Sequence, residues 1–70
     1  MGMTPEEWKN TIRLVTKVAN RVCDGKSNEI TIKQVKEIQV RINSWYRKMM
    51  PEGLILVVLK GYSHYVIRYE

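Results

Sequence analysis

The first third of the chain repeats apolar residues with the period of an α-helix. With Trp8 as the reference and about 100° per residue, the apolar positions up to Cys23 share one arc of about 180°, and polar residues occupy the other arc. Thr4 and Glu7 stand three positions apart before this stretch, which is the spacing of a capping box. The pattern predicts an amphipathic helix of about 18 to 20 residues that ends at Gly25.

Residues 30–50 allow two interpretations. Apolar residues spaced by three or four positions favour one continuous helix, and they are Ile32, Val35, Ile38, Ile42, Trp45 and Met49. Val40 then falls outside the apolar face. In the alternative, the segment breaks at residues 39–41 into two short helices and Val40 is the buried turn residue. The lack of Gly and Pro at that turn favours the continuous helix.

The last part of the chain has the composition of β-strands. Residues 54–59 are aliphatic and rich in β-branched side chains, and residues 65–69 combine aromatic with β-branched side chains. Residues 60–64 between them contain Gly61 and predict a hairpin loop. We therefore expect residues 1–70 to form a single small α+β domain, with two amphipathic helices followed by a C-terminal β-hairpin.

The alternative break at residues 39–41 has its own implication for the fold. In that case residues 30–69 resemble a winged helix–turn–helix, with the hairpin as the wing. The family places its recognition helix in the major groove of DNA, and the matching exposed positions are Asn43, Ser44, Arg47 and Lys48. The sequence departs from the family because no small residue stands at the turn.

The predicted strand 54–59 is apolar on both faces. Leu54, Leu56 and Val58 lie on one face of such a strand, because side chains alternate with a period of two. The helices of one chain cover only one face of a hairpin. The second face, with its exposed edge, predicts a homodimer through the hairpin or docking on another protein.

Catalysis and metal binding have little support in the sequence. Cys23 and His64 are the only cysteine and the only histidine, and no phosphate-binding loop or paired-carboxylate motif is present. One Cys and one His are too few ligands for a zinc site. We expect a protein that is not an enzyme and that uses no cofactor or metal.

Basic residues form the clearest pattern outside the core. The first helix carries four at intervals of four on its polar arc, and they are Lys9, Arg13, Lys17 and Arg21. A second basic group lies among the tyrosines of the C-terminal part, and it comprises Arg47, Lys48, Lys60 and Arg68. The formal net charge is +5. Such a charge pattern favours an anionic partner, either nucleic acid or an acidic protein surface.

These observations predict a small basic nucleic-acid-binding protein, such as a transcriptional or replication accessory factor, with DNA favoured. Compact basic proteins of this kind are common in phages and mobile elements. The alternative is a protein-binding module, an inhibitor or small subunit, that docks through the apolar hairpin. The longest apolar run has six residues, against about 20 for a membrane-spanning helix, and residues 1–7 have no signal-peptide core. We therefore expect a cytoplasmic protein without a membrane partner.

Overall fold

Three α-helices and two short β-strands are found in residues 2–69, which the computed structural model describes. In chain order they are α1 (Pro5–Cys23), β1 (Glu29–Thr31), α2 (Ile32–Trp45), α3 (Glu52–Gly61) and β2 (Val66–Arg68). The protein is therefore of mixed α+β character, as the sequence predicts. The arrangement of its last third differs from the prediction.

The predicted first helix is present with its capping box. The Glu7 amide donates to the Thr4 hydroxyl at 3.1 Å, and the Thr4 amide donates to the Glu7 carboxylate at 3.0 Å. The helix ends at Cys23, and Asp24 and Gly25 follow it in the left-handed conformation with φ of 56° and 64°. The Thr4 and Glu7 amides are thus satisfied at the start of α1. At its end, the Asp24 and Gly25 amides donate to the Arg21 and Asn20 carbonyls.

The second helix is continuous, but it is shorter than predicted. It passes through residues 39–41 without a break, and Val40 is 65% exposed on its outer face. The break that a winged helix–turn–helix needs at this point is therefore absent. The helix begins after Thr31, which forms a second capping box with Gln34, so Ile30 lies in β1 and not in the helix. It ends at Trp45 and not at Met50.

The predicted β-hairpin is wrong because residues 54–59 lie in helix α3. The helix buries Ile55, Val58 and Leu59, which are spaced by three and one positions on one face, while Val57 is 52% exposed on the other. A short apolar run fits a buried strand and a buried helix equally well by its pattern alone. The helix is the better solution here because it turns most of the apolar side chains toward a single side.

The two strands pair with each other in parallel. Glu29 pairs with Val66, Ile30 with Ile67 and Thr31 with Arg68. Parallel pairing needs a long crossover, and α2, α3 and their connecting loop supply it. β2 therefore pairs with β1, which follows α1 in the chain, and not with residues 54–59.

The predicted homodimer depended on a hairpin strand at residues 54–59 with one apolar face left uncovered. Because these residues are helical, that face does not exist. In α3 three of the six residues 54–59 are buried within the chain, and Leu54 and Leu56 are partly buried against the same core.

One core joins all five elements. Most of its side chains are branched aliphatic ones, joined by one alanine, one methionine and one tyrosine. Its buried hydrophobic members are Val15, Val18, Ala19, Ile30, Val35, Ile38, Ile42, Met50, Ile55, Val58, Leu59 and Tyr65. The molecule measures 31 × 23 × 20 Å along its principal axes. No helix within residues 2–69 has both the length and the apolar character needed to cross a bilayer.

Candidate nucleic-acid interface

The four basic residues of α1 lie together on its solvent-exposed face, as the sequence predicts. We call this row the basic ridge, and its members are Lys9, Arg13, Lys17 and Arg21. All four are exposed, whereas Val15 and Val18 on the opposite face are fully buried or nearly so. Twelve residues separate its ends, which gives a length of about 18 Å at 1.5 Å per residue.

No carboxylate of the described chain forms an ion pair with the basic ridge. The ion pairs among residues 2–69 join Arg41 to Glu37 and Arg68 to Glu29, each at 2.9 Å. Glu7 is occupied by the capping box. The positive charge of the ridge is therefore available to an external anion.

Residues 62–65 run along one side of α1, and we call them the C-terminal strap. The Ser63 and Thr16 hydroxyls are hydrogen-bonded, and the Tyr65 hydroxyl donates to Asn20 Oδ1 at 2.6 Å. The Tyr62 ring meets Trp8 edge-on, with ring centroids 5.3 Å apart and an interplanar angle of 82°. The strap therefore follows α1 from its first turn to its last.

The strap borders the basic ridge. Arg13 and Lys17 precede Thr16 and Asn20 by three positions each, so they are neighbours on the helix surface. His64 lies between the two hydrogen-bonded strap residues, is exposed, and has a left-handed backbone with φ of 60°. The strap that borders the ridge therefore contains an exposed histidine.

The loop between α2 and α3 carries Arg47 and Lys48, both exposed. Two side chains of α2 hold this loop at the buried Met50. The Asn43 Oδ1 atom accepts from the Met50 amide at 2.8 Å, and Gln39 Nε2 donates to the Met50 carbonyl at 3.1 Å. Both backbone polar groups of the buried residue are satisfied, so the loop has a defined conformation.

The charge of Lys48 acts on the amino-terminal end of α1. The pKa of the Glu7 carboxyl is lowered by its hydrogen bonds with the backbone and the hydroxyl of Thr4, and the nearby charge of Lys48 lowers it further. Glu7 and Lys9 are two positions apart and point to different sides of the helix. The loop therefore brings positive charge to this end of α1 but not to the basic ridge itself.

The structure does not gather the second predicted basic group into one cluster. Lys60 is exposed in the last turn of α3, whereas Arg68 lies in β2 and pairs with Glu29. Of the tyrosines predicted to interleave with them, Tyr65 is buried and only 9% exposed. Arg68 and Tyr65 therefore have structural partners, while Arg47 and Lys48 lie apart from them in the loop between α2 and α3.

Two exposed aromatic residues next to Arg47 were not among the predicted site residues. Trp45 is 55% and Tyr46 is 41% exposed, at the end of α2. The guanidinium of Arg41 lies over the Trp45 ring, 5.2 Å from its centroid. The helical spacing assigned both rings to the apolar face. The run of two aromatic and two basic residues at positions 45–48 is the signal that indicates a surface role.

Neither of the two residues with catalytic potential lies in a reactive arrangement. The pKa of the Cys23 thiol is raised by partial burial, and the negative charges of Asp24 and Glu37 raise it further, so the reactive thiolate is disfavoured. Within residues 2–69 neither Cys23 nor His64 has a side-chain hydrogen bond to a base or an orienting group. The same residues contain no group of three or more metal-ligating side chains.

Comparisons with protein-family models, with curated proteins and with solved structures find no match for this chain. The function proposed below is therefore inferred from the geometry of the chain's own surface.

Proposed function

We propose that this chain is a small, non-enzymatic nucleic-acid-binding protein, such as a transcriptional or replication accessory factor, that holds backbone phosphates on the basic ridge of α1. DNA is the favoured ligand. The single observation that supports this proposal most is the lack of ion-pair partners for four exposed cations in a row, within the described residues.

The spacing of these cations is unfavourable for the isolated helix. Like charges four positions apart repel by a few tenths of a kcal/mol per pair. On α2 the same spacing is used differently, because Glu37 and Arg41 attract each other at 2.9 Å. A surface that only needs to be soluble is better served by the alternation on α2, whereas an anion-binding surface requires the uniform sign on α1.

The residues have different expected roles. The four ridge residues contact successive phosphates, and each contact releases counterions, which is the main source of sequence-independent affinity. Arg47 and Lys48 extend the surface at the amino-terminal end of α1. Lys60 contributes as a peripheral charge, and Arg68 contributes least because Glu29 already pairs with it.

The experiment is fluorescence anisotropy of labelled duplex and single-stranded oligonucleotides at several salt concentrations. The double substitution Arg13→Glu with Lys17→Glu should weaken binding of every sequence. It should also reduce the slope of log affinity against log salt concentration by about 1.5, because two phosphate contacts are lost. The matched control is Lys33→Glu with Lys36→Glu on α2, which changes the net charge equally and should change the slope far less.

The outcome that contradicts the proposal is equal behaviour of the two double variants. Affinity would then follow net charge alone, and the ridge would be an ordinary solvated surface. Failure to bind any oligonucleotide, together with salt-sensitive binding to an acidic protein, would replace nucleic acid by an acidic protein surface. We expect this activity in the cytoplasm, where an unpaired cysteine stays reduced.

A further inference from the structure

The end of α2 presents rings and cations side by side. Trp45 and Tyr46 are 55% and 41% exposed, and the exposed Arg47 and Lys48 follow them directly. Exposed aromatic rings next to cations suit a ligand that carries both flat π-surfaces and negative charge. Unpaired nucleotides have both, because their bases stack on rings while their phosphates attract cations.

The structure holds these side chains in place before any ligand binds. Arg41 lies over the Trp45 ring and is itself held by its ion pair with Glu37, so the ring, which is 55% exposed, has a defined orientation. Beyond the ring, the hydrogen bonds of Gln39 and Asn43 to Met50 anchor the loop. Such preorganisation lowers the entropy lost on binding.

The cations of this aromatic patch belong to the same short segment as its rings. Arg47 and Lys48 follow Trp45 and Tyr46 directly in the chain, and all four residues are exposed. A ligand that stacks on the rings therefore meets two cations within the next two residues.

We infer that the ligand is single-stranded nucleic acid, with phosphates on Arg47 and Lys48 and one or two of its bases stacked on Trp45 and Tyr46. Bases in a duplex are stacked on each other, and their faces are closed to a protein ring. The inference depends on the proposed function, since it names the form of nucleic acid that the protein binds.

The first measurement uses tryptophan fluorescence, because Trp8 and Trp45 are the only two tryptophans in the chain. In the Trp8→Phe variant, Trp45 is the sole reporter, and a short oligothymidine should quench its emission. In the Trp45→Phe variant, Trp8 is the sole reporter, and the same oligonucleotide should leave its emission nearly unchanged. The duplex formed with the complementary strand should quench neither reporter.

The second measurement compares affinities. Trp45→Ala should weaken single-strand binding about tenfold, which corresponds to the loss of one stacked base, and it should leave duplex binding unchanged. Met49→Ala is the matched control, because Met49 is 93% exposed in the same loop and has no ring. Circular dichroism of each variant checks that the helices are retained.

The outcomes separate this inference from the proposed function. If the ridge variants lose affinity for single strands and duplexes alike while Trp45→Ala has no effect, the inference is wrong and the proposed function stands. If no oligonucleotide binds, both are wrong. If vesicles that contain phosphatidylserine shift Trp45 emission to the blue and Met49→Ala abolishes the shift, while oligothymidine has no effect, the patch binds a lipid surface instead.

Discussion

At the scale of single residues, exposure and not residue type decides what a side chain of α2 contributes. Val40 and Ile42 are both β-branched, are two positions apart, and lie on opposite sides of the same helix. Val40 is 65% exposed, whereas Ile42 is fully buried in the core. The same helix therefore offers a direct comparison between a surface position and a core position.

Substitution at these two positions should have very different costs. Val40→Lys should change the free energy of unfolding by less than about 0.5 kcal/mol, as surface changes usually do. Ile42→Ala should lower it by about 2 to 5 kcal/mol, because it removes buried methyl groups and leaves a cavity. Urea denaturation followed by circular dichroism measures both. A loss of several kcal/mol for Val40→Lys would mean that residue 40 is buried and that α2 is interrupted there.

At the scale of secondary-structure elements, the prediction that the structure overturns is the strand at residues 54–59. In α3 both Gly53 and Gly61 lie inside the helix, have no positive φ, and have open space where a Cβ would be. Gly25, after α1, has a φ of +64°. These glycines therefore distinguish a helix from a hairpin in a way that the aliphatic residues do not.

Gly53→Ala should stabilise the protein by about 0.5 to 1 kcal/mol, because alanine loses less backbone entropy than glycine when it enters a helix. Gly25→Ala should destabilise it, because a Cβ disfavours the left-handed conformation. Thermal and urea denaturation give the sign of each change. A destabilising Gly53→Ala would contradict the helical conformation of this segment.

The capping box of α1 should make stability depend on pH. The pKa of Glu7 is lowered in the fold from its ordinary value of 4.5, first by the hydrogen bond from the Thr4 backbone. A carboxyl whose pKa is lower in the folded state stabilises the fold at pH values above its unfolded-state pKa. This contribution is lost as the pH falls through the pKa of the folded state. Glu7→Gln keeps the hydrogen bonds without the charge. Its free energy of unfolding should therefore be lower than that of the native protein at pH 7, and the difference should shrink toward about pH 3.

Urea midpoints across that pH range test this prediction. The control is Glu6→Gln in the same helical turn, since Glu6 takes no part in the capping box. If the difference in free energy of unfolding between Glu7→Gln and the native protein is constant with pH, the carboxylate charge does not contribute to the cap.

Local signals predicted the elements that are stabilised locally. The spacing of Thr4 and Glu7 and the apolar arc were enough for α1, and the start of α2 has an equivalent signal in Thr31 and Gln34 that the helical period of residues 30–50 concealed. The parallel pairing of residues 29–31 with 66–68 depends on packing between distant segments, so no local pattern reports it. The strand predicted at residues 54–59 was wrong for the same reason, because the packing around a short apolar run decides whether it is a helix or a strand.

The candidate site shows the same division. Each ridge residue could be placed from helical periodicity alone, because the ridge belongs to one helix. The proximity of Lys48 to α1 and the course of the strap beside the ridge could not, because both depend on how the helices pack. Helical spacing predicts that Trp45 lies on the apolar face of α2. Trp45 and Tyr46 are exposed at the end of that helix, and their exposure depends on which segments pack there, which no local pattern reports.

At the scale of the whole molecule, the positive charge is unevenly compensated. Glu29 and Glu37 neutralise Arg68 and Arg41, and no carboxylate of residues 2–69 pairs with the basic ridge. A protein whose surface serves only solubility gains stability by spreading carboxylates among its cations. The repulsive row is therefore a cost in stability, and in the proposed function the binding of an anion offsets that cost.

Lys17→Glu should reveal this trade-off, because position 17 has Arg13 and Arg21 four residues away on either side. The substitution replaces two repulsive pairs by two attractive ones, so the free energy of unfolding should rise by about 1 kcal/mol at low salt. The gain should vanish near 1 M salt, where screening acts over about 3 Å. Lys36→Glu changes the net charge equally but has only one like charge at helical spacing, Lys33 three positions before it, so its gain in stability should be about half as large. Affinity for oligonucleotides, measured on the same proteins, should fall for Lys17→Glu and change little for Lys36→Glu. If Lys17→Glu is more stable and binds as well as the native protein, the uniform charge of α1 has no binding role.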